Sequence, residues 1–260
     1  MADLEDLLRI ERALVGAADL LRGFAPGQIQ VERKAGGDPV TEADRAVDDL
    51  LRRTLVRGDE GWLSEETRDD GTRLCRRRVW VVDPLDGTRE FVAGIPEWCV
   101  SIALVEDGVS VAGGTCNPVT GEILLGDLER GARRNGSPVR VSRHEDLAGA
   151  VVLASRSEMA RGEWDRFRDA PFEVRPTGSV AYKMSLVAAG RADATFTLVP
   201  KHEWDVAAGI ALVLAAGGIV RAMDGSTVAF NRPSALLPGL LVANPVLAGR
   251  LVEFLRDTQG

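Results

Sequence analysis

Histidine, cysteine and tyrosine are scarce in this sequence of 260 residues, which has two histidines, three cysteines and one tyrosine. With so few histidines, a catalytic serine–histidine or cysteine–histidine pair is poorly supplied. The cysteine number is odd and no Cys-x-x-Cys pair occurs, so we expect neither a disulfide framework nor a zinc site. This cysteine usage predicts a reduced, cytoplasmic protein.

Long apolar runs are also missing, so we expect no membrane-spanning segment. The first residues, MADLEDLLRIERAL, form a charged amphipathic pattern rather than a signal peptide. The net charge of −7 and the pI of about 5.1 argue against a nucleic-acid polymer or an anionic membrane as partner. A small anionic ligand is still compatible, because a few local cations or bound metal ions can reverse the field at one site.

The order of the predicted elements indicates a layered α+β fold. Apolar residues recur at helical spacing over residues 3–22, and a second helix is expected from about Thr41 to Val56, after a polar loop. An antiparallel meander follows the buried strand VWVVD and extends to a tight turn at residues 134–137. The second half mixes strands and helices, which does not fit a doubly wound parallel sheet.

This second half is predicted to start with a strand at residues 151–155 and a helix around residues 159–168. Further strands are expected within residues 172–176 and 194–199, and a C-terminal helix at 246–256. No repeat or composition break marks a linker, so we expect one domain over residues 1–260.

The stretch VVDPLDGTREF, residues 81–91, holds more carboxylates than a turn requires. Asp83 ends a buried strand, where an unpaired charge is costly, and Asp86 would repel it at close range. A hard divalent cation removes both problems, and magnesium prefers such oxygen ligands. Manganese or calcium could compete for them, whereas zinc fits less well without histidine or cysteine.

The residues after Asp86 suggest an anion site next to this metal site. Gly87 lets the backbone approach a ligand closely, and a helix that begins at about Thr88 would present free N–H groups. Metal ions beside an anion site are typical of phosphoryl chemistry, in which two ions can activate a water and stabilise the leaving oxygen.

Three further acidic stretches have ordinary structural explanations when each is taken alone. Thr41 and Asp44 approximate a helix capping box, and Asp205 has the position of an N-cap. The pair Glu65-Glu66 would ordinarily be a solvated loop, just as DPLDG would be a plain turn. These structural explanations are weaker for the four stretches together.

The four stretches, in this order and spacing, resemble the inositol monophosphatase superfamily of magnesium-dependent, lithium-sensitive phosphomonoesterases. They are DPVTEAD at residues 38–44, SEE at 64–66, DPLDGT at 83–88 and WDVAAG at 204–209. This superfamily includes 3′(2′),5′-bisphosphate nucleotidases and, more distantly, fructose bisphosphatases. The resemblance covers roughly residues 5–245 and implies an αβαβα layered sandwich.

The resemblance also implies the residues of the site. It implies two or three Mg²⁺ ions, for which Mn²⁺ can substitute. The implied metal ligands are Glu65, Asp83, the Leu85 carbonyl, Asp86 and Asp205. Glu65 rather than Glu66 is taken from its place in the S-E-E motif, and it is also expected to act in catalysis.

Thr88 and Asp44 match the pair that orients and deprotonates the attacking water in this family, and Gly87 and Thr88 would offer N–H groups to the phosphate. The resemblance further implies a homodimer. It also implies an N-terminal metal-binding lobe over about residues 1–145 and a C-terminal substrate-side lobe over about 146–260.

The substrate class is predicted from REF and from residues in the second half. REF after DGT, SRS at residues 155–157, and Gly178-Ser179 followed by Lys183 resemble the bacterial nucleotidase branch. Lys183 and Lys201 could meet a second phosphate, although a lone lysine is ordinarily a solvated charge.

Two residues depart from the family patterns. Glu158 stands where the nucleotidase branch often has histidine. Leu198 stands near the place where inositol monophosphatases have an acid that binds substrate hydroxyls, which disfavours inositol phosphate.

Three hypotheses follow. The first is a magnesium-dependent phosphomonoesterase that removes the 3′-phosphate of adenosine 3′,5′-bisphosphate. The second keeps the chemistry but takes inositol 1-phosphate or a range of sugar phosphates. The third is a non-catalytic protein that binds a phosphorylated metabolite, against which the retention of Asp44 and Thr88 argues.

Overall fold

The structure is a computed structural model that describes residues 2–24, 31–33 and 39–258, with backbone alone at 31–33, 39 and 40. The α-helices are α1 (Leu4–Leu21), α2 (Glu42–Leu55), α3 (Thr88–Val92), α4 (Arg156–Ala160), α5 (Val180–Ala188), α6 (Glu203–Ala215) and α7 (Pro245–Asp257). The first-half strands are β1 (Val31–Arg33), β2 (Pro39–Thr41), β3 (Gly61–Ser64), β4 (Arg78–Asp86), β5 (Cys99–Glu106), β6 (Val109–Asn117), β7 (Glu122–Asp127), β8 (Gly131–Arg134) and β9 (Ser137–Val139). The second-half strands are β10 (Val151–Ser155), β11 (Glu173–Thr177), β12 (Ala194–Phe196), β13 (Lys201–His202), β14 (Ile219–Ala222), β15 (Leu236–Leu237) and β16 (Leu240–Ala243).

A seven-stranded sheet carries the first half in the order β3-β4-β5-β6-β7-β8-β9. All neighbours from β4 onward are antiparallel, so the predicted meander is confirmed, whereas β3 runs parallel to β4. Alternate residues of β4 enter two different cores: Val79 and Val81 on one face, Trp80 and Val82 on the other. A strand buried on both faces explains why VWVVD is continuously apolar.

The helices that pack on the faces of the two sheets define the layers of the fold. Helices α1 and α2 pack on one face of the seven-stranded sheet. Helices α5 and α6 fill the space between its other face and a five-stranded sheet of order β11-β10-β12-β16-β14. Helix α7 packs on the outer face of that second sheet. The predicted α+β sandwich with αβαβα layers is therefore confirmed.

The predicted helix around residues 159–168 is wrong. The structure has the short helix α4, then turns, then a single 3₁₀ turn at Asp165–Phe167. Gly162 adopts a φ of 76°, which interrupts an α-helix. Trp164 is instead buried by stacking on Phe196 of β12, with ring centroids 4.5 Å apart.

Two smaller differences concern strands. The predicted strand at 194–199 is limited to Ala194–Phe196. Within the predicted polar loop, β1 and β2 pair with each other, and residues 34–38 between them lie outside the described residues.

In the described ranges, no helix is both long and apolar enough to cross a membrane. All three cysteines are free: Cys75 is exposed, whereas Cys99 and Cys116 are buried. Burial also raises the pKa of the Cys116 thiol to about 12, so it carries no thiolate near neutral pH.

Candidate active site

A polar cavity of about 350 Å³ opens at the carboxyl end of β4, next to the starts of α5 and α6. Of the twelve residues predicted for the site, eleven line this cavity: Glu65, Asp83, Leu85, Asp86, Gly87, Thr88, Gly178, Ser179, Lys183, Lys201 and Asp205. The twelfth, Asp44, is buried and meets the lining residue Thr88. Residues that are far apart in the sequence are thus brought to one cavity.

The DPLDGT stretch has the turn geometry that its residues suggest. The pairing of β4 with β5 shifts register between Asp83 and Asp86, and the Leu85 N–H donates to Asp83 Oδ1 at 3.0 Å. Gly87 has a φ of 101°, and a Cβ there would lie 2.8 Å from the Cβ of Trp98. Glycine is therefore required at this position, and α3 begins at Thr88 as predicted.

Asp44 serves the capping box of α2 and reaches the candidate site at the same time. Its Oδ2 accepts hydrogen bonds from the Thr41 N–H and the Thr41 hydroxyl, at 2.8 and 2.5 Å. Its Oδ1 lies 3.2 Å from the Thr88 hydroxyl, which can donate to it. Burial raises the pKa of Asp44, although the hydrogen bonds from Thr41 and Thr88 oppose the rise. The structural and the functional interpretations of this motif are thus compatible.

Asp86 connects β4 to the start of α5. Its Oδ2 accepts hydrogen bonds from the Ser179 hydroxyl at 2.7 Å and from the Ala181 N–H at 2.6 Å. Ser179 is the N-cap of α5 and has a φ of 55°, which a residue with a side chain adopts only at some cost. Two hydrogen bonds of the Ser179 hydroxyl offset that cost. One is the bond to Asp86, and in the other the hydroxyl oxygen accepts from the Tyr182 N–H at 2.9 Å and so caps α5.

Lys183 lies beneath this turn and is buried, so the solvated-lysine alternative is wrong for it. Its Nζ donates to the Ser179 carbonyl at 3.0 Å. Burial lowers the pKa of Lys183 to about 8, and the nearby charge of Asp86 limits the drop. Lys183 therefore carries its charge at neutral pH and loses it in mildly alkaline solution.

Glu97 was not predicted for the site, yet it holds the Gly178-Ser179 turn in place. It accepts two hydrogen bonds from the Arg156 guanidinium, at 2.6 and 2.7 Å, and one from the Gly178 N–H at 2.8 Å. Burial alone would raise the pKa of Glu97, but the bonds from Arg156 and Gly178 lower it overall. Arg156 is the central residue of the SRS stretch, and this was the only signal for the pair in the sequence.

Close packing also explains Gly178 itself. A Cβ at this residue would lie 2.7 Å from the Glu97 carbonyl oxygen and 2.4 Å from Cγ of Glu90, which belongs to REF and lines the cavity. Glycine is thus needed where the turn passes over α3.

Asp205 lies at the start of α6, but it is not the N-cap. His202 is the N-cap, and Asp205 is the third helical residue, whose Oδ2 accepts from the His202 N–H at 2.9 Å. The N-cap interpretation of Asp205 is therefore wrong by three residues. The capping bond nevertheless fixes the carboxylate at the cavity wall.

The electrostatics of the cavity are dominated by buried acids. Burial, and then the charges of Glu65, Asp86 and Asp205, raise the pKa of Asp83 well above its usual range. Burial followed by the charges of Asp86 and Glu65 does the same for Asp205, and the pKa of Asp86 is also raised, mainly by burial. Within the described residues, Asp83, Asp86 and Asp205 form no ion pair. A bound cation would therefore lower the free energy of the ionised site.

The donor set fits magnesium or manganese, because it consists of carboxylate and carbonyl oxygens alone. The side chains are close enough to shift one another's pKa, yet in the described ranges no three acidic, histidine or cysteine side chains already enclose one ion. Asp86 Oδ2 and Asp205 Oδ2 instead accept hydrogen bonds from the protein. Each of these two carboxylates can still ligate an ion through its other oxygen, Oδ1.

Lys201 forms an ion pair with Glu158, with Nζ and Oε1 3.1 Å apart. Glu158 is fully buried, and its Oε2 accepts from the Trp164 indole N–H at 3.0 Å. The residue that departs from the nucleotidase pattern thus neutralises Lys201 and anchors it at the cavity. Leu198, the other departure, packs against the apolar core of the second sheet.

Arg161 is a further cation of the cavity lining that the sequence did not single out. Its Nε donates to Glu163 at 2.5 Å. Arg161, Lys183 and Lys201 are three cationic residues from the second half that line the cavity, and each has an acid nearby.

The inositol monophosphatase family model matches residues 3–259 of this sequence. The chain belongs to the inositol monophosphatase family. An inositol-1-monophosphatase of Mesorhizobium japonicum is 37% identical over 226 residues, which cover 83% of this chain and 84% of the relative. A histidinol-phosphatase of Chlorobaculum parvum is 36% identical over 202 residues, covering 75% of this chain and 76% of the relative.

Solved structures agree with this assignment. The extragenic suppressor protein suhB of Bartonella henselae superposes with a TM-score of 0.83 at 29% identity, covering 96% of this chain and 98% of that one. The resemblance found in the sequence is thereby confirmed. This family member is a phosphomonoester hydrolase, and the family is generally metal-dependent.

Proposed function

We propose that the protein is a magnesium-dependent phosphomonoesterase in which water attacks the phosphate of a small metabolite. The proposed ligands for two or three ions are Glu65, Asp83, the Leu85 carbonyl, Asp86 and Asp205. The observation that carries this proposal is a group of carboxylates with raised pKa, from the buried Asp83 and the half-buried Asp205, at a cavity that also contains Thr88, paired with Asp44. Bound magnesium would polarise the phosphate and lower the pKa of a water molecule.

Asp44 and Thr88 are proposed to position and deprotonate that water. The Thr88 hydroxyl lies 3.2 Å from Asp44 Oδ1 and 3.1 Å from the Leu85 carbonyl oxygen, and it can donate its one proton to either. With the Leu85 carbonyl engaged by a metal ion, the proton would go to Asp44 and the hydroxyl oxygen could accept a hydrogen bond from a water. Burial raises the pKa of Asp44, which makes it a stronger base than an exposed aspartate. Glu65 is proposed to share in activating the water, and the N–H groups of Gly87 and Thr88 to bind the phosphate.

The substrate proposed is adenosine 3′,5′-bisphosphate, which loses its 3′-phosphate. A second anionic group on the substrate is supported by Arg161, Lys183 and Lys201, which lie in the same cavity as the carboxylates. Gly178 and Ser179 would contact the polar edge of the same substrate. Leu198 packs into the core and offers no acid for an inositol hydroxyl.

Inositol 1-phosphate, or a range of sugar phosphates, is the second candidate. It is favoured by the similarity to a protein named inositol-1-monophosphatase and by the ion pair with Glu158, which reduces the charge that Lys201 can offer to a phosphate. A non-catalytic phosphometabolite-binding protein is the third, and the Asp44–Thr88 pair argues against it because binding alone needs no such pair.

A phosphate-release panel separates these candidates. Adenosine 3′,5′-bisphosphate, adenosine 5′-monophosphate and inositol 1-phosphate would be compared at saturating magnesium, with and without lithium. We expect the highest kcat/KM with the bisphosphate, inhibition by lithium, and no activity without a divalent ion. A clear preference for inositol 1-phosphate would reverse the order of the first two candidates, and tight binding without turnover would support the third.

Arg161→Gln sharpens the test of the second anion. This substitution should raise KM for the bisphosphate about tenfold, since a charge-assisted contact is lost, and leave the slower turnover of inositol 1-phosphate nearly unchanged. Equal effects on both substrates would contradict a second-phosphate site at this residue.

We also propose that the enzyme is a cytoplasmic homodimer, with a metal-binding lobe over about residues 1–145 and a substrate-side lobe over about 146–260. Light scattering of the purified chain would give its mass directly. A value equal to the 27.9 kDa of one chain at micromolar concentration would contradict the dimer.

A further inference from the structure

A second cavity, of about 490 Å³, lies between α6, β14, α7 and the turn at residues 223–230, and shares no lining residue with the candidate active site. We propose that it binds a small amphipathic anion, with an apolar body held by the walls and one carboxylate or phosphate group held by two arginines. This site is independent of the proposed phosphatase function.

The walls of the cavity are mainly apolar. Ile210 and Leu214 contribute from α6, Val252 and Leu255 from α7, and Phe230 from the turn. The volume falls within the range of roughly 300–1,000 Å³ that is usual for small-molecule sites. Leu214 is 38% exposed, so apolar surface continues from the cavity to the outside of the molecule. An apolar ligand body can thus enter and be desolvated there.

The charge of the lining has a single sign. Arg221 and Arg256 line the cavity, and its lining contains no aspartate or glutamate. Both arginines are exposed, and over residues 2–24, 31–33 and 39–258 neither guanidinium group forms an ion pair or a hydrogen bond with the protein. By contrast, Arg250, on the same helix as Arg256, is paired with Asp146.

The apolar walls and the two arginines together favour an anionic ligand over a neutral one. In a chain with a net charge of −7, arginines without acidic partners beside an apolar cavity create a local field that favours anions. The planar guanidinium also binds carboxylate and phosphate with two parallel hydrogen bonds. A neutral apolar ligand or an apolar peptide would use the walls but not these charges.

Isothermal titration calorimetry of the full chain tests the proposal with decanoate and decyl phosphate, each below its micelle-forming concentration, and with decanol as the neutral probe. We expect one anion to bind per chain. Arg221→Gln combined with Arg256→Gln should weaken anion binding at least about tenfold and leave decanol binding unchanged. Arg250→Gln is the matched control and should leave both unchanged.

Leu214→Trp should abolish binding of all three probes, because the larger side chain fills the entrance. Ser226→Trp, in the exposed turn of the lining, serves as a second blocking variant in case Leu214→Trp fails to fold. Phosphate release should be the same in all these variants, since none of the residues belongs to the candidate active site. The proposal is overturned if the wild-type chain binds neither anion, if the double arginine variant binds as tightly as wild type, or if both tryptophan variants still bind.

Discussion

Strand β4 has a cluster of buried charge at each end, and the two clusters differ in their balance. At its start, Arg78 forms ion pairs with the carboxylates of Asp6 and Glu60. Arg9, which belongs to α1, forms ion pairs with the same two carboxylates. Arg9 also stacks over the ring of Trp80, with 4.8 Å from the guanidinium carbon to the ring centroid. Each acid of this cluster has at least one arginine as partner.

At the other end of the same strand the acids lack such partners. Asp83 and Asp86 share the cavity with Asp205, and within the described part of the chain none of the three forms an ion pair. The pKa values show the consequence. Burial alone would raise the pKa of Glu60, but hydrogen bonds from Arg9 and Trp80 lower it overall, whereas burial and neighbouring acids raise that of Asp83. Arginine partners offset the desolvation cost of the acids at the start of β4, whereas the acids at its end would be stabilised by a bound cation.

The largest expected effect comes from changing an acid to its amide at the unbalanced end. Asp86→Asn should lower kcat for phosphate release by about a thousandfold or more, because it removes a proposed metal ligand. In the presence of a chelator the same variant should unfold at a higher temperature than wild type, because a buried charge is removed while the amide oxygen still accepts from Ser179 and Ala181. Unchanged kcat would contradict the assignment of this ligand.

The matched change at the balanced end should have the opposite pattern. Glu60→Gln removes a negative charge that pairs with Arg9 and Arg78. It should lower the free energy of unfolding by about 2 kcal/mol, which is less than the loss expected for a fully buried ion pair. This corresponds to a fall in Tm of about 4–8 °C for a chain of this size. Its kcat per folded molecule should equal that of wild type. A large loss of kcat would mean that the two clusters do not have separate roles.

The pH dependence should follow from the raised pKa values. In the metal-free protein Asp83, Asp86 and Asp205 have raised folded-state pKa values, so the unfolded chain loses these protons first. Stability should therefore fall as pH rises from the ordinary carboxyl pKa of 3.8 through the raised values. Chemical denaturation in chelator at several pH values measures this slope, and Asp83→Asn should reduce it. A metal-free wild type that gains stability over that range would contradict the electrostatic account.

A smaller effect is expected from the contact that holds the Gly178-Ser179 turn. Glu97→Gln should lower kcat/KM about tenfold and raise the magnesium concentration that gives half-maximal activity, because the turn positions Asp86. Glu122→Gln is the control, since Glu122 also pairs with arginines, Arg134 and Arg191, but does not line the cavity.

A merely structural role for Glu97 would lower Tm without changing the magnesium dependence. Because Glu97 and Arg156 act through one bidentate contact, the effects of Glu97→Gln and Arg156→Gln should also be strongly non-additive.

The sequence predicted most of the layers and most of the acids that line the cavity, because both depend on local signals. Continuous apolar runs mark strands buried on two faces, and acids beside turn residues mark the ends of such strands. The region after β10 was mispredicted because Trp164 and Phe167 have helical spacing, although they are buried by contacts with the distant Phe196.

The contacts missed at the site are non-local in the same way. Glu97 and Arg156 are 59 residues apart, and they lie next to strands of two different sheets. A single charged residue gives no sign of a partner at that separation. The solvated-lysine rule failed at Lys183 for a related reason, because its carbonyl partners belong to a turn that forms around Asp86.

Direct titration of magnesium into the metal-free protein is the clearest test of the unbalanced cluster as the centre of a phosphatase. Calorimetry of the wild type should show binding of at least one ion, and Asp83→Asn combined with Asp205→Asn should show none while remaining folded. Glu60→Gln should bind as wild type does. Absence of binding in the wild type, or equal binding in the double variant, would contradict the account.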